Sequence, residues 1–249
     1  MIRSPLAAVL VLSGTLSAQE PLRPVVSTPP SSFVVQEASV SGIHTALATG
    51  MIDCAELTKA YLRRIEAYDD RGPKLNAILT VNPIAHEIAE ELDQAYTLSG
   101  LAGRPLHCVP VILKDNYNTS DLPTTGGSIT LARSVPQKDA FIVERLKQAG
   151  AVIIAKANLT ELARGGTTVS SLGGQTRNPY DLTRTPGGSS GGTGAAIAAS
   201  FGVLGTGSDT GQSTRSPASA QSLVGIRPTR GLLSRSGIIP RSFTQDEAG

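Results

Sequence analysis

The chain has 249 residues, of which 40% are hydrophobic and 17% are charged, and its formal net charge is +2. This apolar content excludes an intrinsically disordered protein and predicts a globular one. The 22 basic and 20 acidic residues form no long run of either sign, so the charge pattern gives no support for nucleic acid or a membrane surface as a partner.

The first 18 residues have the layout of a secretory signal peptide. A positive charge at Arg3 is followed by a small-and-apolar stretch at 6–16 and by small residues up to Ala18. We therefore expect cleavage near Ala18 and a secreted or periplasmic protein, with an uncleaved anchor as the alternative. Residues 19–33 are rich in proline and serine, which predicts a flexible leader before a folded domain at 34–249. No later segment is expected to cross a membrane.

Helices and strands are predicted in alternation along the rest of the chain, from the spacing of its apolar residues. The predicted helices are 39–48, 53–68, 85–96, 140–148 and 193–200, and the predicted strands are 76–81, 109–113, 151–155 and 203–206. Asp53, with Glu56 three positions later, predicts a capping box at the start of the second helix. The alternation predicts an α/β fold with a mixed β-sheet core covered by helices on both faces.

The two cysteines, Cys54 and Cys108, lie in different predicted elements. Export would permit a disulfide bond, but two cysteines do not form a disulfide scaffold, and unpaired cysteine is among the residues most often buried. We therefore predict two buried free thiols.

Residues 187–191, Gly-Gly-Ser-Ser-Gly, match the nucleophile-elbow pattern G-x-S-x-G around Ser189. An elbow of this kind needs a histidine later in the chain, whereas all three histidines precede Ser189, so that triad is excluded. His86-Glu87 lacks the second histidine of a zinc motif, and the glycine-rich loop lacks the Gly-Lys ending of a phosphate-binding loop. We expect neither a metal nor another cofactor.

A serine nucleophile without histidine needs another base, and a desolvated lysine can serve because burial favours the neutral amine. Lys114 is the best candidate, since it follows the apolar run 109–113 and would place its amine at a strand end. The alternative is an ordinary solvated lysine. To act near neutral pH, its pKa would have to fall by about 3 units from about 10.4. Taken by themselves, these residues predict a serine hydrolase and no more.

Two glycine- and serine-rich segments, 187–196 (GGSSGGTGAA) and 207–215 (GSDTGQSTR), resemble the signature of the amidase signature family. Residues 111–116 (VILKDN), 173–180 and 223–229 are similar to that family as well, so the resemblance runs from about residue 37 to the end. It implies the α/β fold of that family and a metal-free amidohydrolase that cleaves the C–N bond of a small-molecule carboxylic amide.

The resemblance implies a Ser-Ser-Lys triad. Lys114 would be the base, Ser189 the bridging residue after a cis peptide bond from Gly188, and Ser213 the nucleophile that forms an acyl-enzyme. The oxyanion hole would consist of the backbone N–H groups of Thr210, Gly211, Gln212 and Ser213. Asp209 and Arg215 would support the loop.

Three features depart from the family pattern. Gln212 and Cys108 stand where glycine is common, and a positive φ at Gln212 would cost about 1 kcal/mol. The chain ends at Gly249, where family members continue, so we expect an amidase domain that is incomplete at its C-terminus. An inactive fragment or pseudoenzyme of the same family therefore remains an alternative. An amidotransferase component that feeds ammonia to a charged transfer RNA is disfavoured by the predicted signal peptide and the balanced charge.

Overall fold

The structure, a computed structural model, describes residues 33–101 and 103–249. The predicted signal peptide at 1–18 lies outside the described residues, as does the predicted leader at 19–33 except for Phe33. Within the described ranges, no helix is long and apolar enough to cross a membrane.

Each predicted helix and strand is present, with ends that differ from the prediction by at most three residues. The helices are α1 (Val40–Ala48), α2 (Cys54–Ile65), α3 (Ala85–Ser99), α4 (Phe141–Gln148), α5 (Gly191–Ala198) and α6 (Arg215–Ala220). The strands are β1 (Ile78–Val81), β2 (Pro110–Lys114), β3 (Val152–Ala157), β4 (Val169–Ser170), β5 (Gly174–Gln175), β6 (Leu204–Gly205), β7 (Ser208–Asp209) and β8 (Glu247–Ala248). A π-helical turn, Glu66–Asp70, extends α2, and 3-10 turns lie at Ile129–Leu131 and Glu161–Ala163.

The start of α2 shows how local sequence sets a helix end. The Asp53 side chain accepts a hydrogen bond from the Glu56 N–H at 2.7 Å, which satisfies one of the free donors of the first turn. The N-cap at Asp53 is confirmed. Within the described ranges no hydrogen bond joins the Asp53 N–H to the Glu56 side chain, which contacts Lys59 instead, so the predicted capping box is only half formed. The Asp93 side chain, from α3, accepts hydrogen bonds from the N–H groups of Cys54 and Ala55 at 2.7 and 3.0 Å. These two bonds hold the start of α2 against α3.

The central sheet is mixed, as predicted, with strand order β1-β3-β2-β6. β2 runs parallel to β3 and to β6, and β1 runs antiparallel to β3. Because β2 and β3 are parallel, their carboxyl ends meet at one edge of the sheet, where Lys114 lies opposite Ala157. β7 and β8 pair next to this edge as a separate two-stranded ribbon. The topology therefore brings the end of β2 to the place where such folds usually keep their sites.

Helices cover both faces of the sheet. Alternate side chains of a strand point to opposite faces, and accordingly Ile112 joins one core while Val111 and Leu113 join the other. The first core includes buried residues of α1, α2, α3 and α5, and the second includes Val143 of α4. The predicted burial of the sheet on both faces is confirmed.

The β6 end of the sheet is flanked by exposed apolar side chains. Leu204, in β6, is 39% exposed, and Val224 and Ile226 are 94% and 69% exposed. A cavity of about 440 Å³ lies at this edge, beside Ile197 and Leu223. Apolar surface next to an open strand edge is a liability that soluble proteins usually cover.

Cys54 and Cys108 form a disulfide bond, with their Cα atoms 5.5 Å apart, so the prediction of two free thiols is wrong. Both residues are buried as expected. Their sequence separation is 54, and only the packing of α2 against the segment before β2 brings them together. Cys108 has a φ of +61°, in the left-handed region that suits glycine best, which gives a physical reason for the glycine common at this position.

Candidate active site

Lys114, the last residue of β2, has a fully buried side chain that ends among oxygen atoms. Its Nζ lies 2.7 Å from Ser189 Oγ, 2.9 Å from Ser208 Oγ and 3.3 Å from the Ser208 carbonyl oxygen. The Asn116 side-chain amide donates to the same Ser208 hydroxyl at 2.9 Å. The amine is therefore held in one position, in contact with the serine that the family resemblance pairs with it.

The pKa of Lys114 falls from its ordinary value of 10.5 to about 7. Burial is the main cause, because a charged amine loses its hydration there. The carboxylates of Asp209 and Asp246 oppose the shift, and the positive charge of Arg241 adds to it. A large fraction of Lys114 is therefore neutral near pH 7 and can accept a proton.

Ser189 follows a cis peptide bond between Gly188 and Ser189, as the resemblance implied. Its side chain is fully buried, and its carbonyl oxygen accepts the Thr160 N–H at 3.0 Å. A Cβ on Gly188 would come within 2.7 Å of the Gly166 backbone, so the close approach of two chain segments requires glycine here. The packing fixes the serine against Lys114.

Ser213 lies in the turn between β7 and α6 and is 2% exposed. Its carbonyl oxygen accepts the N–H of Ser190 at 3.1 Å, so the two glycine- and serine-rich segments meet here. Lys114, Ser189 and Ser213 thus come from one strand end and two touching loops.

The backbone N–H groups of residues 210–213 have no hydrogen-bond partner within 33–101 and 103–249. Such a row of free donors can bind a negatively charged oxygen. Gly211 and Gln212 are exposed, so a substrate can reach the row. Gln212 is not among the residues with positive φ, and its side chain therefore brings no backbone strain at this position.

Asp209 and Arg215 form an ion pair that shapes the turn around Ser213. Arg215 Nε and Nη2 donate to the buried Asp209 carboxylate at 3.1 and 3.2 Å, and the Thr214 N–H donates to it at 3.1 Å. Burial alone would raise the pKa of Asp209, but these hydrogen bonds lower it on balance. Both residues contact the loop's own backbone, which fits the supporting role implied for them.

Sequence reasoning missed Ser208 and Lys156. Ser208 lies inside the quoted segment 207–215, but no pattern distinguishes it from its neighbours. Lys156, at the end of β3, is buried and pairs with Asp115, Nζ to Oδ1 2.9 Å. Burial lowers the pKa of Lys156, and Asp115 opposes that shift. The sequence does contain an indication of a buried lysine here, because Lys156 follows the apolar run 151–155 just as Lys114 follows 109–113.

Within the described part of the chain, Cys54, Asp93 and Cys108 are the group whose ligand atoms lie close enough together for a metal. The two sulfur atoms are bonded to each other, so neither is available as a thiolate ligand.

The sequence profile of the Amidase family matches residues 56–249, and the chain belongs to this family. Among its curated relatives is a subunit of the glutamyl-tRNA(Gln) amidotransferase from Azoarcus sp. (strain BH72). It is 44% identical over 212 residues, which are 85% of this chain and 43% of that protein. Two similar solved structures are the peptide amidase from Stenotrophomonas maltophilia (43% identity, TM-score 0.83) and an amidase family protein from Bacillus anthracis str. Ames (38%, 0.82). Each of these two matches covers 86% of this chain and 44% of that protein.

These structural neighbours confirm the predicted α/β fold. The chain spans less than half the length of the relatives it matches.

Proposed function

We propose that the chain carries the catalytic residues of an amidohydrolase that cleaves a small-molecule carboxylic amide through Lys114, Ser189 and Ser213. The supporting observation is the 2.7 Å contact between the buried Lys114 amine and Ser189 Oγ, on a loop hydrogen-bonded to the one that holds Ser213. A lysine whose pKa is about 7 supplies the base that a serine hydrolase without a suitable histidine needs.

The proposed reaction begins with two proton transfers. Neutral Lys114 accepts the hydroxyl proton of Ser189, which accepts the proton of Ser213 as Ser213 Oγ bonds to the amide carbonyl carbon. The carbonyl π electrons move to oxygen, and the resulting negative charge binds the free N–H groups of 210–213. When the C–N bond breaks, the proton held by Lys114 returns through Ser189 to the leaving nitrogen. A water molecule then repeats the sequence on the acyl-enzyme and releases the acid.

The proposal also includes export to the periplasm or the exterior, from the signal-peptide pattern at 1–18. The partner we propose is the amide substrate, with no role for nucleic acid. Intact-mass analysis of the protein secreted by its expression host would detect loss of residues 1–18.

The test of the triad is intact-mass spectrometry after reaction with a fluorophosphonate, which forms a covalent bond with an activated serine. We expect one adduct on the wild type and none on Ser213→Ala or Lys114→Ala. Ser219→Ala, which changes an exposed serine of α6, is the matched control and should label normally. Circular dichroism establishes that each variant is folded. Folded wild-type protein that takes no label would contradict the proposal and favour the inactive-fragment alternative.

A second candidate function is that of an amidotransferase component, favoured by the 44% identity to a protein of the glutamyl-tRNA(Gln) amidotransferase. Ammonia release from a small amide by the chain alone would support the amidohydrolase. Labelling of Ser213 without hydrolysis of any free amide would favour the amidotransferase instead.

A further inference from the structure

A cavity of about 260 Å³ lies beside the candidate active site. Its wall includes Ser208, whose hydroxyl is 2.9 Å from Lys114 Nζ. Thr210, the first residue of the proposed oxyanion loop, also lines it. A substrate whose carbonyl oxygen binds that loop therefore has this cavity next to it.

One side of the cavity is apolar and is attached to the Lys114 strand. Ile238, Ile239 and Pro240 line it. The Ile239 N–H donates to the Asn116 carbonyl oxygen at 2.8 Å, two residues beyond Lys114. This hydrogen bond attaches the wall to the segment that follows the base, and an apolar wall suits a short hydrocarbon chain.

The acidic groups of the cavity are already engaged. The Asp246 carboxylate accepts the Thr210 hydroxyl at 2.5 Å and the Arg241 and Ser242 N–H groups at 2.8 and 2.9 Å. The Glu247 carboxylate is buried and lies 3.6 Å from Arg230 Nε. Each carboxylate therefore already has a hydrogen-bond donor or a positively charged partner within the described ranges.

The two arginines of the cavity differ in their contacts. Arg235 Nη1 donates to the carbonyl oxygens of Phe243 and Asp246 at 3.0 and 3.1 Å, so it braces the turn. The Arg241 side chain is exposed and makes no ion pair or hydrogen bond with any residue in the described ranges. Its positive charge acts on Lys114, which is consistent with a guanidinium near the site. The cavity therefore presents a free cation next to a reactive centre.

We propose that Arg241 binds a carboxylate of the substrate, so that the enzyme selects amides with a negatively charged acyl group, such as the monoamide of a short dicarboxylic acid. The inference rests on the proposed amidohydrolase function. A guanidinium binds a carboxylate through two parallel hydrogen bonds. An uncharged amide of the same shape cannot make this contact. One charge-assisted contact corresponds to a preference of about 10- to 100-fold in kcat/KM for the charged substrate.

The experiment compares succinamate with succinamide, which differ in one terminal group. Ammonia release gives kcat/KM for each, and the ratio in the wild type is expected to favour succinamate by at least about tenfold. In Arg241→Met the ratio should fall to about one. Because any change in the Lys114 base affects both substrates, the ratio isolates recognition of the charge. Arg133→Met, an exposed arginine outside the cavity, should keep the wild-type ratio.

A binding measurement keeps this inference separate from the proposed chemistry. Isothermal titration of succinamate into Ser213→Ala needs no turnover, and the added Arg241→Met change should weaken binding by about tenfold. Equal binding by the two proteins, or a succinamate preference that survives in Arg241→Met, would overturn the role of Arg241. Arginine-dependent binding without labelling of Ser213 would support the subsite while contradicting the proposed triad.

Discussion

The Nζ atom of Lys114 lies 2.7 Å from Ser189 Oγ, and both side chains are fully buried. This contact couples the end of a core strand to a glycine-rich loop 75 residues further along the chain. Because the amine is buried away from bulk solvent, its protonation state depends strongly on the surrounding protein charges and on pH. Titration of Lys114 should therefore change both the activity and the stability of the protein with pH.

We expect the rate of Ser213 labelling by a fluorophosphonate to rise with pH through an apparent pKa of about 7, since only neutral Lys114 can accept the proton. The groups that act on this pKa are Asp209, Asp246 and Arg241. Asp246→Asn removes a charge that raises the pKa, so the profile should move to lower pH. Labelling rates of the wild type and Asp246→Asn, measured from pH 5 to pH 9, test both expectations. A rate that does not vary over this range would rule out Lys114 as the base.

Lys114→Met should stabilise the protein in acid and destabilise it in base. The pKa of Lys114 is about 7 when folded and 10.5 when unfolded, so below pH 7 the buried amine costs about 5 kcal/mol, and this cost disappears as the pH rises through 10.5. Methionine removes that cost but loses three hydrogen bonds of about 1 kcal/mol each. The expected net change in the free energy of unfolding is a gain of about 2 kcal/mol at pH 6 and a loss of about 2 kcal/mol at pH 10.

Urea unfolding of the wild type and Lys114→Met at both pH values measures this change. Lys138→Met, which alters an exposed lysine, is the control and should show no change of sign. Loss of stability at pH 6 in Lys114→Met would mean that the amine is not appreciably desolvated.

Removal of the Cys54–Cys108 disulfide should lower the free energy of unfolding by about 4 kcal/mol, the loop-closure value for 54 residues. The substitution at position 108 should matter as well. Cys108 has a φ of +61°, so Cys54→Ala with Cys108→Gly should be about 1 kcal/mol more stable than Cys54→Ala with Cys108→Ala. Guanidinium unfolding of the two double variants tests this. Equal stability would show that the backbone at 108 relaxes without the bond.

Lys156→Met should cost about 3 to 5 kcal/mol because it leaves the buried Asp115 carboxylate without its partner. Adding Asp115→Asn removes the uncompensated charge, so the double variant should recover most of the loss. A double-mutant cycle on unfolding free energies gives the coupling between the two residues. Additive losses would show that the two side chains are not paired in solution.

Much of the fold follows from local patterns that a single segment displays by itself. The apolar run before Lys114, the cap formed by Asp53 and Glu56, and the alanine-rich stretch of α5 each appeared where predicted. Lys114 was recognisable as a base candidate because the apolar run before it is a local feature, whereas Ser189 and Ser213 were assigned only through the resemblance to the amidase signature family. The short strands β7 and β8 were not predicted, because a strand of two residues is too short to show the alternation of apolar and polar residues.

What the sequence by itself determined is the mixed α/β core, because side-chain polarity and strand or helix period are properties of neighbouring residues. The residues of a Ser-Ser-Lys site followed from its resemblance to a known family. The tertiary structure alone decided the pairing of Cys54 with Cys108 and of Lys156 with Asp115, the contact of Ser208 with Lys114, and the position of Arg241 at the cavity. Each of these joins distant segments, and it exists only because parallel pairing of β2 with β3 and packing of the loops around β7 set which side chains share a buried space.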